Sequence, residues 1–212
     1  MTNGRYRTIA EPATAEIVVK RSRFRCLLAR VDTEDDARGL IADQRRVNWD
    51  ARHHCFAMVL GPDGATQRSS DDGEPSGTAG APMLQVLLGH GLSDTVAVVT
   101  RWFGGVLLGA GGLARAYGDA VTAALREASV IRRMLFDEVV VELPHADAGR
   151  VENAIRAAAV RVLGTDYAQV ARLRLATPPE TLTEVTQLVS ELTGGTARPE
   201  IVGQRWVDQP VQ

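Results

Sequence analysis

The chain has 212 residues, of which 45% are hydrophobic and 24% are charged. This composition is typical of a soluble globular protein with one large domain or two small ones. The net charge of −2 excludes an overall basic surface of the kind that binds nucleic acid without specificity. No apolar run approaches the roughly 18 residues of a membrane span, and no apolar segment follows the basic residues near the N-terminus. We therefore expect a cytoplasmic protein without a membrane partner.

Charge is unevenly distributed along the chain. Residues 1–134 contain 17 basic and 15 acidic side chains, whereas residues 135–212 contain 7 and 11. A surface that binds a polyanion is therefore expected in the first part. Lys20 is the only lysine, so chemistry that needs a lysine beside a glycine loop has none nearby in sequence. Cys26 and Cys55 lie in apolar runs and are expected to be buried, reduced thiols.

The first part of the chain begins with strand patterns. Residues 15–20 and 24–31 are rich in β-branched and apolar side chains, which predicts a hairpin. Thr33 is a good helix N-cap and is followed by three acidic residues, so we expect a helix that extends to about Arg46. Residues 54–60 predict a buried strand.

Two further helices and a strand are predicted before the middle of the chain. Pro82 suits the first turn of a helix, and Gly89 suits the position just after its end. Thr95–Thr100 predicts a strand. From Leu113 onward, apolar residues recur at helical spacing, which predicts an amphipathic helix that includes Tyr117 on its apolar side.

The remainder of the chain predicts a second domain, with a boundary near Leu135. Its elements follow the order βαββαβ, which is that of a ferredoxin-like domain. They are a strand at Val139–Leu143, a helix at Asp147–Ala159, strands near 160–167 and 169–176, a helix opened by Pro178 and Pro179, and a strand near 197–206.

Two glycine-rich loops are the main candidates for a functional site. The first, at 71–80, contains Gly73, Gly77 and Gly80; the second, at 100–117, contains Gly104, Gly105, Gly109, Gly111 and Gly112. Each loop leads into a predicted helix, whose first N–H groups can bind a phosphate. Arg101 and Arg115 could add charged hydrogen bonds. Alternatively, the glycines only permit tight packing, and the two arginines pair with Asp71, Asp72 or Glu74.

Other chemical interpretations of these loops have less support. A P-loop is absent, and Gly109–Ala114 satisfies the dinucleotide pattern without the strand context that the pattern requires. Asp71, Asp72 and Glu74 could hold Mg²⁺ beside a substrate phosphate, or could instead cap N–H groups and pair with arginines.

Histidine and cysteine chemistry is a weaker hypothesis. His54 and Cys55 are adjacent in a predicted strand and should point to opposite faces, so a joint site is not expected. A triad of Ser76, His54 and Asp72 stays open, although no spacing requires it.

The segment Lys20–Arg25 has the sequence K-R-S-R-F-R and is a basic hairpin with one aromatic residue. Arg23 and its basic neighbours could contact RNA phosphates while Phe24 stacks on a base. The alternative is a solvated hairpin tip with Phe24 in the core.

Four motifs are S-R-F at 22–24, D-D-G-E-P-S-G-T-A-G at 71–80, P-M-L at 82–84 and T-R-W-F-G-G-V-L-L-G-A-G-G-L-A-R-A-Y at 100–117. Together they resemble the IMPACT family, in its bacterial YigZ type, over nearly the whole chain. Some members have Tyr or Lys where this chain has Trp102 or Leu107, so both positions should tolerate substitution.

The resemblance implies an α+β protein of two domains. Residues 1–134 would adopt the left-handed βαβ fold of a small-subunit ribosomal protein and of domain four of elongation factor G. Residues 135–212 would form a ferredoxin-like domain resembling domain five of that factor. Eukaryotic members regulate translation by restraining a stress kinase through an added RWD domain, which we expect this chain to lack. The paired domains suggest an RNA or ribosome surface by analogy of fold.

The leading hypothesis is a non-enzymatic protein associated with translation, without a cofactor. Its expected partner is the ribosome or RNA, or else a phosphorylated small molecule. The alternative is a Mg-dependent hydrolase or phosphotransferase that uses Asp71, Asp72 and Glu74. The residues expected to bind phosphate are Arg23, Asp71, Asp72, Gly73, Glu74, Ser76, Gly77, Thr78, Gly80, Arg101, Gly104, Gly105, Gly109, Gly111, Gly112 and Arg115.

Overall fold

The computed structural model describes residues 4–211. The chain divides into two compact units. The first unit consists of the residues up to Arg133 together with those from Gln209 onward, and the second unit is Met134–Asp208. Among the described residues, no helix is both long and apolar enough to cross a membrane.

The first unit is built on a five-stranded antiparallel sheet. Its strands are β2 (Ala13–Val19), β3 (Ser22–Arg30), β4 (His53–Leu60), β5 (Thr66–Ser70) and β6 (Thr95–Trp102), after a short β1 (Arg5–Ile9). The order across the sheet is β2-β3-β6-β4-β5. The predicted hairpin is confirmed as β2 and β3, which are in register from Ala13 opposite Leu28 to Val19 opposite Ser22.

Three helices cover the two faces of this sheet: α1 (Glu34–Val47), α2 (Gly80–Gly89) and α3 (Ala110–Glu127). The chain passes from β3 through α1 to β4, on the other side of the central β6, and this is the expected βαβ unit. Thr33 caps the start of α1, as the sequence predicts, and Asp36 completes a reciprocal capping box with it.

The main core of the first unit lies between the sheet and helices α2 and α3. The apolar stripe of α3, including Leu113 and Tyr117, is buried there against Phe24 and the two cysteines. Cys26 and Cys55 are free and buried. On the opposite face, α1 packs on the sheet through a smaller core that includes Ile41 and Met58.

The second unit has the βαββαβ order predicted from the sequence. Its elements are β7 (Val130–Leu143), α4 (His145–Ala157), β8 (Arg161–Tyr167), β9 (Ala171–Thr177), α5 (Leu182–Thr193) and β10 (Glu200–Pro210). The strands lie in the order β10-β7-β9-β8, which is the ferredoxin-like arrangement. Both helices pack on one face, with Val151, Leu173 and Val189 in the core.

The sequence patterns missed the short strands β1 and β5 and placed the last strand a few residues too early. Thr66–Ser70 has the sequence T-Q-R-S-S, which carries no apolar alternation because β5 is an edge strand with mostly exposed side chains. Its pairing with β4 fixes the start of the glycine-rich loop at 71–80.

Candidate functional site

The sequence-predicted loops converge at one end of the first unit's sheet. In the sheet register, Arg101 near the end of β6 lies opposite Phe24 near the start of β3 and opposite His53 at the start of β4. Strands β3 and β4 therefore begin where β6 ends. This end consequently gathers the β2–β3 turn, the loop before β4, the acidic loop at 71–80 and the glycine-rich loop after β6.

Asp71 closes the N-terminus of α2. Its carboxylate accepts hydrogen bonds from the main-chain N–H groups of Gly77 at 2.8 Å, Ala79 at 2.9 Å and Gly80 at 2.8 Å. Burial alone would raise the pKa of Asp71, but these N–H groups outweigh it and lower the pKa below the ordinary value. The start of α2 is therefore filled by an internal anion and is not free for a phosphate.

The Asp72 carboxylate binds two partners within the first unit. One carboxylate oxygen binds Arg45 of α1, and the other accepts a hydrogen bond from the main-chain N–H of His54 at 2.6 Å. The carbonyl of Asp72 accepts a hydrogen bond from His53 Nδ1 at 2.9 Å. Asp72 thus fixes the loop to α1 and to the start of β4.

Glu74 is buried and lies in a third environment. Arg101 Nη1 binds its carboxylate at 2.6 Å, and the Tyr117 hydroxyl donates to the same oxygen at 2.7 Å. The three acidic side chains therefore have separate partners, and among residues 4–211 no group of three acidic, histidine or cysteine side chains could hold a metal ion. The arrangement of Asp71, Asp72 and Glu74 therefore gives no support to the Mg²⁺ hypothesis, which needs these carboxylates to face one ion.

Arg101 is an internal residue. Besides Glu74, its guanidinium contacts the Ser22 hydroxyl at 3.3 Å, and this hydroxyl also accepts a hydrogen bond from the main-chain N–H of Gly104 at 3.2 Å. Only 6% of Arg101 is exposed. Arg101 therefore pairs with an acidic residue of the loop, which was the alternative to phosphate binding. From inside the protein it joins the acidic loop, the hairpin and the glycine-rich loop.

Histidine or cysteine catalysis has no geometric basis here. Asp72 binds the main-chain N–H of His54 and not its ring, so the triad of Ser76, His54 and Asp72 does not form. The His54 ring is buried on the face covered by α1, whereas Cys55 lies in the opposite core. Burial raises the pKa of the Cys55 thiol to about 12, which keeps it protonated and unreactive.

The glycines of the two loops have different structural roles. A side chain at Gly104 would place a Cβ atom 2.1 Å from the Arg21 carbonyl, so the close approach of two backbones requires glycine. Gly80 is similarly close to the Ser70 main chain. Gly111, by contrast, has open space around it and an ordinary φ. Among the remaining loop glycines, Gly73, Gly77, Gly105 and Gly109 have positive φ. A Cβ added at Gly112 would contact only Leu108.

Thr78 and Ser76 are the other two residues of the acidic loop that were predicted to bind phosphate. The Thr78 hydroxyl is buried and donates to the Pro75 carbonyl at 2.6 Å. Ser76 is exposed.

The N-terminus of α3 is open, unlike that of α2. Its N-cap is Gly109, no side chain among the described residues caps it, and the first turn contains no acidic residue. The first bond inside the helix runs from the Leu113 N–H to the Gly109 carbonyl at 2.9 Å. The N–H groups of Ala110, Gly111 and Gly112 are therefore available at the positive end of the helix dipole.

Four cations lie on segments at this end of the sheet or in the first half of α3. Lys20 and Arg21 form the β2–β3 turn, Arg52 directly precedes β4, and Arg115 is exposed on α3. In the part of the chain that the structure describes, none of the four forms an ion pair, whereas Arg23 pairs with Glu16. We refer to Lys20, Arg21, Arg52, Arg115 and the first turn of α3 as the basic end.

Beside the basic end lies an aromatic surface that the sequence patterns missed. Trp49 is 82% exposed, and Asp50 next to it accepts a hydrogen bond from Trp102 Nε1 at 2.9 Å. Arg23 covers the Trp102 ring at 4.0 Å from its centroid. The sequence R-R-V-N-W-D-A-R at 45–52, with three arginines around one tryptophan, carries the signal. Phe24 is fully buried, so stacking of a base on Phe24 is wrong.

Comparison with known proteins covers both units. Residues 20–125 match the family described as Impact N-terminal domain, and residues 141–196 match the family described as Domain of unknown function (DUF1949).

Relatives and a solved structure match most of the chain. IMPACT family member YvyE of Bacillus subtilis (strain 168) is 40% identical over 190 residues, or 90% of this chain and 88% of that protein. IMPACT family member YigZ of Escherichia coli (strain K12) is 37% identical over 188 residues, or 88% of this chain and 92% of that protein. A solved structure described as a hypothetical protein has a TM-score of 0.63 and 34% identity, covering 94% of this chain and 98% of that chain.

Proposed function

The chain belongs to the IMPACT family, and on this basis we propose that it acts in translation, in the cytoplasm, by binding phosphate groups of RNA or of the ribosome at the basic end. A phosphorylated small molecule offers the same chemical group, so a useful test separates the two sources of phosphate.

The contrast between two neighbouring helix starts carries the proposal. Asp71 fills the start of α2 with three hydrogen bonds, whereas no side chain within the described part of the chain caps α3, whose first turn has no acidic residue. A bare helix N-terminus attracts an anion through its N–H groups and its dipole. Gly111 keeps this main chain free of side chains, although neither its φ nor its packing requires glycine.

The unpaired cations favour a polyanion over a single small anion. Lys20 and Arg21 lie on the hairpin turn, while Arg52 and Arg115 lie on two other segments of the first unit. Cations on several segments can each contact a different phosphate along an RNA backbone. Binding of that kind releases counterions and weakens steeply with salt, by a slope of roughly 0.7 per phosphate for a single strand.

The structure divides the predicted phosphate-binding residues into two groups. Arg101, Glu74, Asp71 and Asp72 shape the loops from inside and are not free to contact a ligand. Arg115 and the main chain at Gly111 and Gly112 are exposed or half-buried and retain the contact role that we propose.

Fluorescence anisotropy of a labelled RNA, measured over a salt series, tests the proposal. We expect Arg115→Ala to weaken binding and to reduce the salt slope by roughly 0.7. Arg126→Ala is the matched control, because Arg126 is also exposed on α3 but lies in its last turn. Equal affinities and slopes for wild type and Arg115→Ala would contradict the proposal.

A second arm separates the sources of phosphate. Inorganic phosphate and nucleotides are added as competitors of the labelled RNA. If the site is built for RNA, millimolar concentrations of these small anions should displace little RNA beyond the effect of ionic strength. Displacement at micromolar concentrations would assign the basic end to a phosphorylated small molecule instead.

A further inference from the structure

We propose that the RNA form bound is single-stranded, and that one of its unpaired bases stacks on Trp49. This inference rests on the proposed function, because it names the class of RNA for the same end of the sheet. It concerns only residues of the first unit.

Trp49 is presented to solvent to an unusual degree. Its side chain is 82% exposed, and Val47 beside it is 61% exposed. Tryptophan is highly buried on average, so the exposure of Trp49 is unusual and leaves one whole indole free to contact a partner. A change at Trp49 should consequently alter binding without disturbing the core.

Ion pairs and a hydrogen bond within the first unit hold the polar neighbours of Trp49 in place. Arg45 binds Asp72, Arg46 binds Asp43 at 3.0 Å, and Asp50 binds Trp102 Nε1 at 2.9 Å. The segment at the end of α1 is therefore anchored on both sides of Trp49. An indole on an anchored segment offers a stacking surface at little entropic cost.

Trp102 has a supporting role beside Trp49. Arg23 already covers its ring at 4.0 Å, and Arg25 lies 5.6 Å from the ring centroid. Both arginines also pair with Glu16, so the Trp102 ring and this carboxylate hold the two guanidinium groups in place. Within residues 4–211 no cation or ring covers Trp49, so it is the ring that we assign to a base.

Charge and chemistry favour a nucleic acid strand over a protein as the occupant. Arg52 lies three residues from Trp49 and forms no ion pair within the described residues, and Lys20 and Arg21 are also unpaired. An aromatic face next to unpaired cations is the arrangement that binds single strands, in which stacking tolerates any base. A duplex keeps its bases stacked inside and cannot offer one to Trp49.

The test compares a labelled 20-nucleotide oligouridine with a labelled RNA duplex, by anisotropy. We expect Trp49→Ala to weaken binding of the single strand by about 5- to 150-fold, the range that corresponds to one stacked base. The salt slope and duplex affinity should not change. Trp49→Phe should retain much of the affinity, and Tyr167→Ala removes an exposed aromatic of the other unit as the control.

The outcomes separate this inference from the proposed function. If Trp49→Ala binds oligouridine like the wild type while Lys20→Ala/Arg21→Ala binds weakly, the stacking inference is overturned and the proposed function stands. If the wild type binds neither RNA at low salt, both fail. If polyglutamate competes as well as oligouridine, and Trp49→Ala weakens duplex binding equally, the surface attracts any polyanion and the stacking inference is overturned.

Discussion

Glu74 and Arg101, which are 27 residues apart in sequence, form a buried ion pair with an O–N distance of 2.6 Å. The side chains are 3% and 7% exposed, and Tyr117 donates a further hydrogen bond to Glu74. This pair fastens the acidic loop to the end of β6, on which the glycine-rich loop begins. The shape of the basic end therefore depends on two charges that no ligand reaches.

Removal of one partner of this pair should strongly destabilise the protein. Arg101→Met leaves the Glu74 carboxylate buried without its cation, for which we expect a loss of about 3–5 kcal/mol in the free energy of unfolding. Urea denaturation measures this loss. The double variant Arg101→Met/Glu74→Gln should lose less than the sum of the two single variants, and strict additivity would show that the two side chains do not interact.

Two glycine substitutions should have opposite effects on stability. Gly104→Ala forces a Cβ to within 2.1 Å of the Arg21 carbonyl, so we expect clear destabilisation. Gly111→Ala meets nothing and replaces a glycine in a helix, so it should stabilise by up to about 1 kcal/mol. If the first turn of α3 contacts phosphate, this more stable variant should bind RNA less well. Thermal unfolding and anisotropy, measured on both variants, check the two effects.

Asp71 should make stability depend on pH in the acid range. Its pKa in the folded protein is below the ordinary value of 3.8, because three N–H bonds outweigh the effect of burial. The contribution of Asp71 to the free energy of unfolding is therefore fully present above pH 3.8 and is lost as the pH falls through the pKa of the folded protein. Asp71→Asn should cost about 1–2 kcal/mol at neutral pH, as for loss of a helix cap, and should flatten the acid limb. Urea unfolding between pH 2.5 and 6 provides the comparison.

His54 should contribute a second pH dependence, nearer to neutrality. Burial lowers its pKa in the folded state below the ordinary 6.5. As the pH falls through 6.5, the unfolded chain binds the proton before the folded protein does. The contribution of His54 to the free energy of unfolding is therefore fully present above pH 6.5 and decreases on acidification until the pH passes the pKa of the folded state. His54→Gln should remove this component. An unchanged slope between pH 7.5 and 5 in the variant would contradict the assignment to His54.

The sequence predicted the elements that local patterns determine. The N-cap at Thr33, the apolar stripe of α3 and the order of the second unit follow from patterns within short segments, and the structure confirms them. The partner of Arg101 is a long-range contact, and three acidic residues in one loop were equally available to it. The exposure of Trp49 depends on how α1 ends above the sheet, which periodicity does not describe. Polar β5 gave no strand signal at all.

The sequence alone also could not distinguish the two glycine-rich loops from each other. Both loops have the composition of a phosphate site and both precede a helix. Only the contacts of Asp71 distinguish them, because they fill one helix start and leave the other open. A residue that caps a helix from eight or nine positions upstream has no sequence signature of its own.

Binding to the ribosome can be measured by sedimentation of the tagged protein from cell lysate on a sucrose gradient. We expect migration with a ribosomal particle at low salt, lost at moderate salt and after RNase treatment. We also expect Lys20→Ala/Arg21→Ala/Arg115→Ala to stay at the top of the gradient while Arg126→Ala migrates like the wild type. Wild-type protein that stays at the top under every condition would contradict binding to ribosomal RNA or the ribosome.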